Sequence, residues 1–156
     1  MALIQTLLAF IVAIAILVVV HEFGHYWVAQ KLGVKVLRFS VGFGKPLLSW
    51  RRGADQTEWT IAALPFGGYV RMLDEREAPV PEHERHRAFN TQSLWTRSAI
   101  VLAGPFANFL FAILVYWALF FAGVDGLRPE VGRVTPDSMA ARAGFQQGDL
   151  IQAMDG

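Results

Sequence analysis

Leu3–His25 reads LIQTLLAFIVAIAILVVVHEFGH, an apolar run that closes on His21-Glu22-Phe23-Gly24-His25. From Leu3 to Val20 only Gln5 and Thr6 are polar. As a helix the run is long enough to cross a hydrocarbon core of about 30 Å. The five closing residues spell H-E-x-x-H. Four residues apart on a helix, His21 and His25 project from one face on successive turns. That spacing lets two imidazole nitrogens reach one Zn²⁺ at about 2.0–2.1 Å. Glu22 is offset by roughly 100°, and in H-E-x-x-H enzymes this residue is the general base acting on water at the metal. Ionisable groups at membrane depth are costly and point to function by default. A metal-hydrolase signature therefore stands beside a membrane address, which predicts peptide hydrolysis inside or at the edge of a bilayer.

Composition supports the membrane half of that reading. Hydrophobic residues make up 54% of the 156 and charged residues only 17%, oilier than a soluble domain. The formal net charge of +1 leaves no field that would recruit nucleic acid. There is no cysteine, which excludes disulfides, thiolate catalysis and Cys-type zinc sites. A second apolar run, Ala99–Gly123, has Asn108 as its one strongly polar side chain. A chain of this length could hardly bury two such helices all round, so a core helix is the weaker reading. A signal peptide is also disfavoured, because no Lys or Arg precedes the first run. Eleven Lys and Arg fall from Lys31 to Arg97 and three follow the second run. The positive-inside tendency then puts residues 33–97 on the cytoplasmic side, with the N-terminus and the tail opposite.

The expected fold class is an α-helical membrane protein with two transmembrane helices, a small membrane-associated antiparallel β-sheet between them, and a soluble tail. Residues 1–32 form the first membrane helix with H-E-x-x-H, ending at Lys31-Leu32-Gly33. Residues 33–73 form the β-hairpin region. In it Leu47–Arg52 and Thr57–Leu64 pair across Gly53-Ala54-Asp55-Gln56, and Pro65–Tyr69 breaks the strand pattern. Residues 74–97 form a solvated loop. His83 and His86 there sit among Glu82, Glu84, Arg85 and Arg87, and read as surface residues rather than ligands. Residues 98–123 form the second membrane helix and residues 124–156 the tail. In the tail, Val131–Val134 and Leu150–Met154 read as strands and Ser138–Ala143 as a helix stopped by Gly144.

In the second run Ala99, Ala103 and Ala107 share a face with Gly104 close by, which lets another helix approach. Gly24 is a packing position of the same kind. Asn108, four residues after Gly104, can hydrogen-bond either an extended backbone or a neighbouring helix. A catalytic zinc needs a third protein ligand. Asp125, Asp149 and Asp155 are poor choices, so that ligand is expected beyond Gly156 and the chain is expected to be part of a longer one.

Three motifs in order, H-E-F-G-H (His21–His25), F-G-G-Y-V (Phe66–Val70) and A-G-P-F-A-N (Ala103–Asn108), resemble the site-2 protease family of intramembrane zinc metalloproteases. Val131–Gly156 is similar to the first part of a bacterial PDZ domain. The resemblance implies that His21 and His25 are zinc ligands and Glu22 the catalytic base. It implies that Gly104 and Asn108, as G-x-x-x-N, bind the substrate backbone. It also implies that Gly42-Phe43-Gly44 belongs to a membrane-associated β-hairpin whose edge pairs with an unwound substrate. The family's third ligand comes from L-D-G on a later membrane helix. Met154-Asp155-Gly156 lacks an apolar helix around it, so Asp155 is rejected. The implied substrates are single-pass membrane proteins such as an anti-sigma factor, cut in the bacterial inner membrane during envelope-stress signalling. The PDZ part would screen substrates in the periplasm, and this portion alone would not turn over. Two other readings remain: a zincin anchored by the first helix with its site in a soluble domain, and a non-catalytic membrane adaptor presenting a PDZ module.

Overall fold

Ala2–Lys31 is one continuous helix, α1, in the computed structural model, which describes residues 2–123 and 129–153. No Pro or Gly interrupts its first 22 residues. Over residues 2–13 its side chains are exposed all round, with Leu3 at 72%, Leu8 at 59% and Phe10 at 61%. A core helix would bury one face along its length, and this stretch buries none. The second long helix, α2, spans Leu94–Ala122. Both helices are long and apolar enough to cross a membrane, and with the small sheet between them they have the architecture of a membrane protein.

α1 ends as the Lys31-Leu32-Gly33 sequence predicts. Gly33 takes φ +81°, Val34 N–H bonds to Ala29 O at 2.9 Å and Gly33 N–H to Gln30 O at 3.2 Å. A left-handed residue with this bond pair closes a helix and satisfies its last carbonyls. α2 starts earlier than the apolar run. Ser93 Oγ accepts from Thr96 N at 3.2 Å, so the polar Ser-Leu-Trp-Thr turn is recruited as a helix cap.

Between the helices lie β1 (Val36–Arg52) and β2 (Thr57–Met72), which form an antiparallel sheet. Arg52 faces Thr57 across the four residues Gly53–Gln56, at the expected turn. The break expected at Pro65–Tyr69 does not occur, because β2 continues through it. Leu64 pairs with Phe43 and Gly68 with Val41. The irregular residues are absorbed as register shifts around Phe43 and Pro46. Both strands bend strongly, so the start of β1 is used twice. Ser40 faces Tyr69 on one side and Thr60 on the other.

The core lies where the end of α1, the start of β1 and the start of α2 meet. Ala29, Val34, Val36 and Ile100 are fully buried there, with Tyr26, Val70, Met72 and Phe89 packed around them. Beside it Tyr26, Phe39 and Trp59 form an aromatic triad with centroids 4.6–5.7 Å apart. The charged connector is tied down rather than merely solvated. Arg87 makes a bidentate pair with Asp55 at 2.7 Å and 2.7 Å, Arg85 meets Glu75 at 2.7 Å, and Lys35 N–H bonds to Arg87 O. His83 and His86 lie exposed on a 3-10 helix, Glu82–Arg87.

Two compact units divide the chain, Met1–Val115 and Tyr116–Gly156. In the second, Ser138 caps the short helix α3 (Met139–Arg142), and Gly144 stands beyond it at φ +86°. The strand expected at Val131–Val134 is not formed. A single bridge, Glu130 to Leu150, stands at its start: Val131 N–H bonds to Asp149 O at 2.8 Å and Gly148 N–H to Val131 O at 2.9 Å, and the pairing stops there. Asp125, Met154, Asp155 and Gly156 lie outside the described residues.

Two consequences are measurable. A Cβ on Gly24 would sit 2.7 Å from Ala107 Cβ and closer still to Ala103 O. Gly24→Val is therefore expected to force α1 and α2 apart and cost about 1–3 kcal/mol, read as a lower melting temperature of the full-length protein in detergent. Asp74 accepts from Arg76 Nε at 2.9 Å and Nη2 at 2.6 Å. The guanidinium hydrogen bonds hold its carboxyl below the ordinary value. A depressed carboxyl contributes stability that is present above its unfolded value of about 4 and is lost as pH falls through the folded one. Intrinsic-rate-corrected hydrogen exchange at Arg76 and Glu77 should stay protected from neutral pH to about 4 and lose protection below it. Asp74→Asn should remove that step.

Candidate metal centre

The H-E-x-x-H residues lie in the C-terminal half of α1, half-buried, facing the N-terminal half of α2. The two helices pack through small residues. Gly24 meets Ala103 and Ala107, and Gly104 meets the imidazoles themselves. A Cβ built on Gly104 would lie 2.7 Å from His21 Nε2 and nearer still to His25 Nε2. Both Nε2 atoms therefore converge on the one position of α2 that has no side chain. The rings stand edge to face, 4.8 Å apart at an interplanar angle of 82°.

α2 also engages the opposite nitrogens. His25 Nδ1 lies 2.7 Å from Ile100 O. A carbonyl can only accept, so Nδ1 carries the proton and Nε2 keeps its lone pair. Asn108 Nδ2 lies 3.4 Å from His21 Nδ1. Imidazoles that ligate a metal commonly donate their other ring N–H to an acceptor, as His25 does to Ile100 O. Ile100, Gly104 and Asn108 follow one another at intervals of four, a single stripe on α2 matched to the histidine face of α1.

Two cavities flank Glu22. One, of about 380 Å³, runs from Glu22 and His25 along Gly68–Met72 of β2 to Asp74 and Glu77. The other, of about 290 Å³, is lined by Val18, His21, Glu22, Phe43, Gly67 and Asn108. Gly68 borders both. A Cβ there would press on Ser40 O at 2.7 Å and Glu22 Cγ at 3.0 Å. The expected substrate residues thus separate in place. Phe43 and Asn108 reach the second cavity and Gly104 faces the imidazoles. Gly42 is buried against Leu64 O, and Gly44 lies over the Leu64 side chain.

The arrangement suits a zinc ion in donor type and in the space left over Gly104, but supplies two histidines. Among the described residues no three His, Cys, Asp or Glu side chains gather closely enough to hold a metal. Asp149 is engaged elsewhere, its Oδ2 accepting from Gln146 N at 2.7 Å in a turn of the tail. Sequence reading did not find the Ile100 carbonyl, because a backbone acceptor leaves no residue-type signal. It also did not find Gly68, whose role depends on how β2 folds back over Glu22.

Residues 9–153 match the family description Peptidase family M50. The chain belongs to peptidase family M50. Relatives share the match along nearly its whole length. It is 54% identical over 152 residues to the regulator of sigma-E protease RseP of Escherichia coli, covering 96% of this chain and 33% of that protein. It is 51% identical over 158 residues to the protein of the same name in Salmonella typhimurium, covering 100% and 34%. The protease RseP of Yersinia pestis is 52% identical over 157 residues, covering 100% and 34%. The chain spans about one third of the length of these relatives. Within the M50 chain the H-E-x-x-H face, Gly104 and both cavities all fall inside the matched residues.

Gly104 is the most exacting position of the centre. Gly104→Ala is expected to splay the two rings and loosen zinc by about tenfold or more. The check is zinc retained by the purified full-length protein after dialysis against a graded chelator.

Proposed function

We propose that this M50 chain carries the catalytic core of an intramembrane zinc endopeptidase that cuts peptide bonds within membrane-spanning segments. The observation that carries the proposal is the convergence of His21 Nε2 and His25 Nε2 over Gly104, beside Glu22, on a helix whose first half is apolar and exposed on every side. A zinc ion held by these histidines supplies Lewis acidity and acidifies water at neutral pH. His21 and His25 hold and orient, their rings fixed from α2. Glu22 takes a proton from the attacking water and delivers it to the leaving amine. It borders both cavities, so a peptide lying across it has room on either side.

A helical substrate hides its carbonyls in its own hydrogen bonds, so it must unwind before attack. The sheet near Gly42-Phe43-Gly44 and Gly67-Gly68, beside Glu22, takes an extended substrate segment by strand addition in this reading. Phe43 and Asn108 would then contact the bound backbone from the second cavity. The third ligand is supplied from outside the described residues. In this reading the protein lies in the bacterial inner membrane. Residues 33–97 face the cytoplasm, and the N-terminus and a PDZ portion within 124–156 face the periplasm. Its substrates are single-pass membrane proteins, an anti-sigma factor among them; the relatives above, named regulators of sigma-E, support that class.

Glu22→Gln tests the assignment in the full-length protein. Cleavage of a membrane-embedded substrate should fall by about 10²–10⁴-fold, with zinc content unchanged. Undiminished cleavage would remove Glu22 from the role. A zinc-free wild-type protein would favour a membrane adaptor over an enzyme.

A further inference from the structure

The two imidazoles are held unequally. His25 Nδ1 faces the Ile100 carbonyl at 2.7 Å, which admits only one proton placement. His21 Nδ1 faces the amide of Asn108, with Nδ2 at 3.4 Å, while Asn108 Oδ1 is buried with no hydrogen-bond partner. In that orientation the amide donates into Nδ1. A neutral ring accepting at Nδ1 carries its proton on Nε2, and Nε2 then has no lone pair for a metal. The two rings would hold opposite tautomers although their Nε2 atoms converge over Gly104.

The terminal O and N of a carboxamide are nearly equal in size, and a half-turn exchanges them without repacking. We infer that Asn108 is a positioning residue for His21: its carboxamide oxygen accepts from His21 Nδ1–H and leaves Nε2 as the metal-binding lone pair. Asn108 then does for His21 what the Ile100 carbonyl does for His25, from eight residues further along the same stripe of α2. The half-turn leaves the amino group where the oxygen now lacks a partner, so the number of satisfied atoms does not rise. What changes is the tautomer: both rings present bare Nε2 atoms to one point. The inference rests on the reading of His21 and His25 as zinc ligands and gives Asn108 a task separate from contact with substrate.

Asn108→Asp keeps only acceptor oxygens, and Asn108→Leu keeps none. Zinc affinity of the full-length protein in detergent, measured by competition with a chelator, is the readout. The leucine variant should bind zinc on the order of 10–100-fold more weakly, and the aspartate variant at least as tightly as wild type. A residue that only contacts substrate would leave zinc affinity unmoved in both variants and raise KM alone. The inference is overturned if the leucine variant binds zinc like wild type. Should that variant not fold, the aspartate variant decides: retained affinity supports the inference and a tenfold loss overturns it. Wild-type protein that binds no zinc overturns the metal reading itself, and this inference with it. ¹⁵N NMR of the metal-free protein gives an independent reading, with the proton expected on Nδ1 of His21.

Discussion

Close approach of α1 and α2 is the constraint on which the site depends. Two helices can bring backbone atoms to a neighbour's side chains only where small residues line the seam. Gly24 against Ala103 and Ala107 sets that distance, and Gly104 clears the space in front of the imidazoles. One consequence is a carbonyl, Ile100 O, within hydrogen-bonding distance of a histidine ring. A bulkier seam would leave His21 and His25 as two polar residues on an apolar helix, with nothing to orient them.

The sheet completes the surroundings of Glu22 by the same means. β2 folds back so that Gly68 lies over the Glu22 side chain, and the ring of Phe43 packs against Gly67, where a Cβ would collide with it. Missing side chains therefore shape the site as much as present ones do. The two cavities both border Gly68 and Glu22. The charged connector holds this sheet to the helix ends. Arg87 spans from Asp55 in the hairpin turn to Gly33 O beyond α1, so a stretch that reads as plain loop braces the hairpin.

Much of this was legible in the residues because the signals are local. Apolar length marks α1 and α2, Gly33 and Gly144 mark helix ends, and Gly53–Gln56 marks the hairpin turn. H-E-x-x-H names three neighbours on one helix whose chemistry follows from spacing. The misreadings were also local in origin. Pro65–Tyr69 looked like a break because turn residues dominate it, yet β1 supplies partners that carry the strand through as a bulged bend. Val131–Val134 looked like a strand, but its backbone pairing with Gly148 and Asp149 ends at Val131, and strand propensity alone does not carry it further.

By itself the sequence determined the membrane character, the number of long helices, the identity of two metal-ligand candidates and the candidate base beside them. These are properties of composition and of spacing along a single helix, where 3.6 residues per turn fix the geometry. Only the tertiary structure decided which groups face those residues. That Ile100 lends a carbonyl, that Gly104 clears the space before both rings, and that Asn108 reaches His21 rather than standing free depend on two helices lying side by side, through residues 75 or more apart in the chain. Contacts of that range arise from packing, which no local pattern encodes.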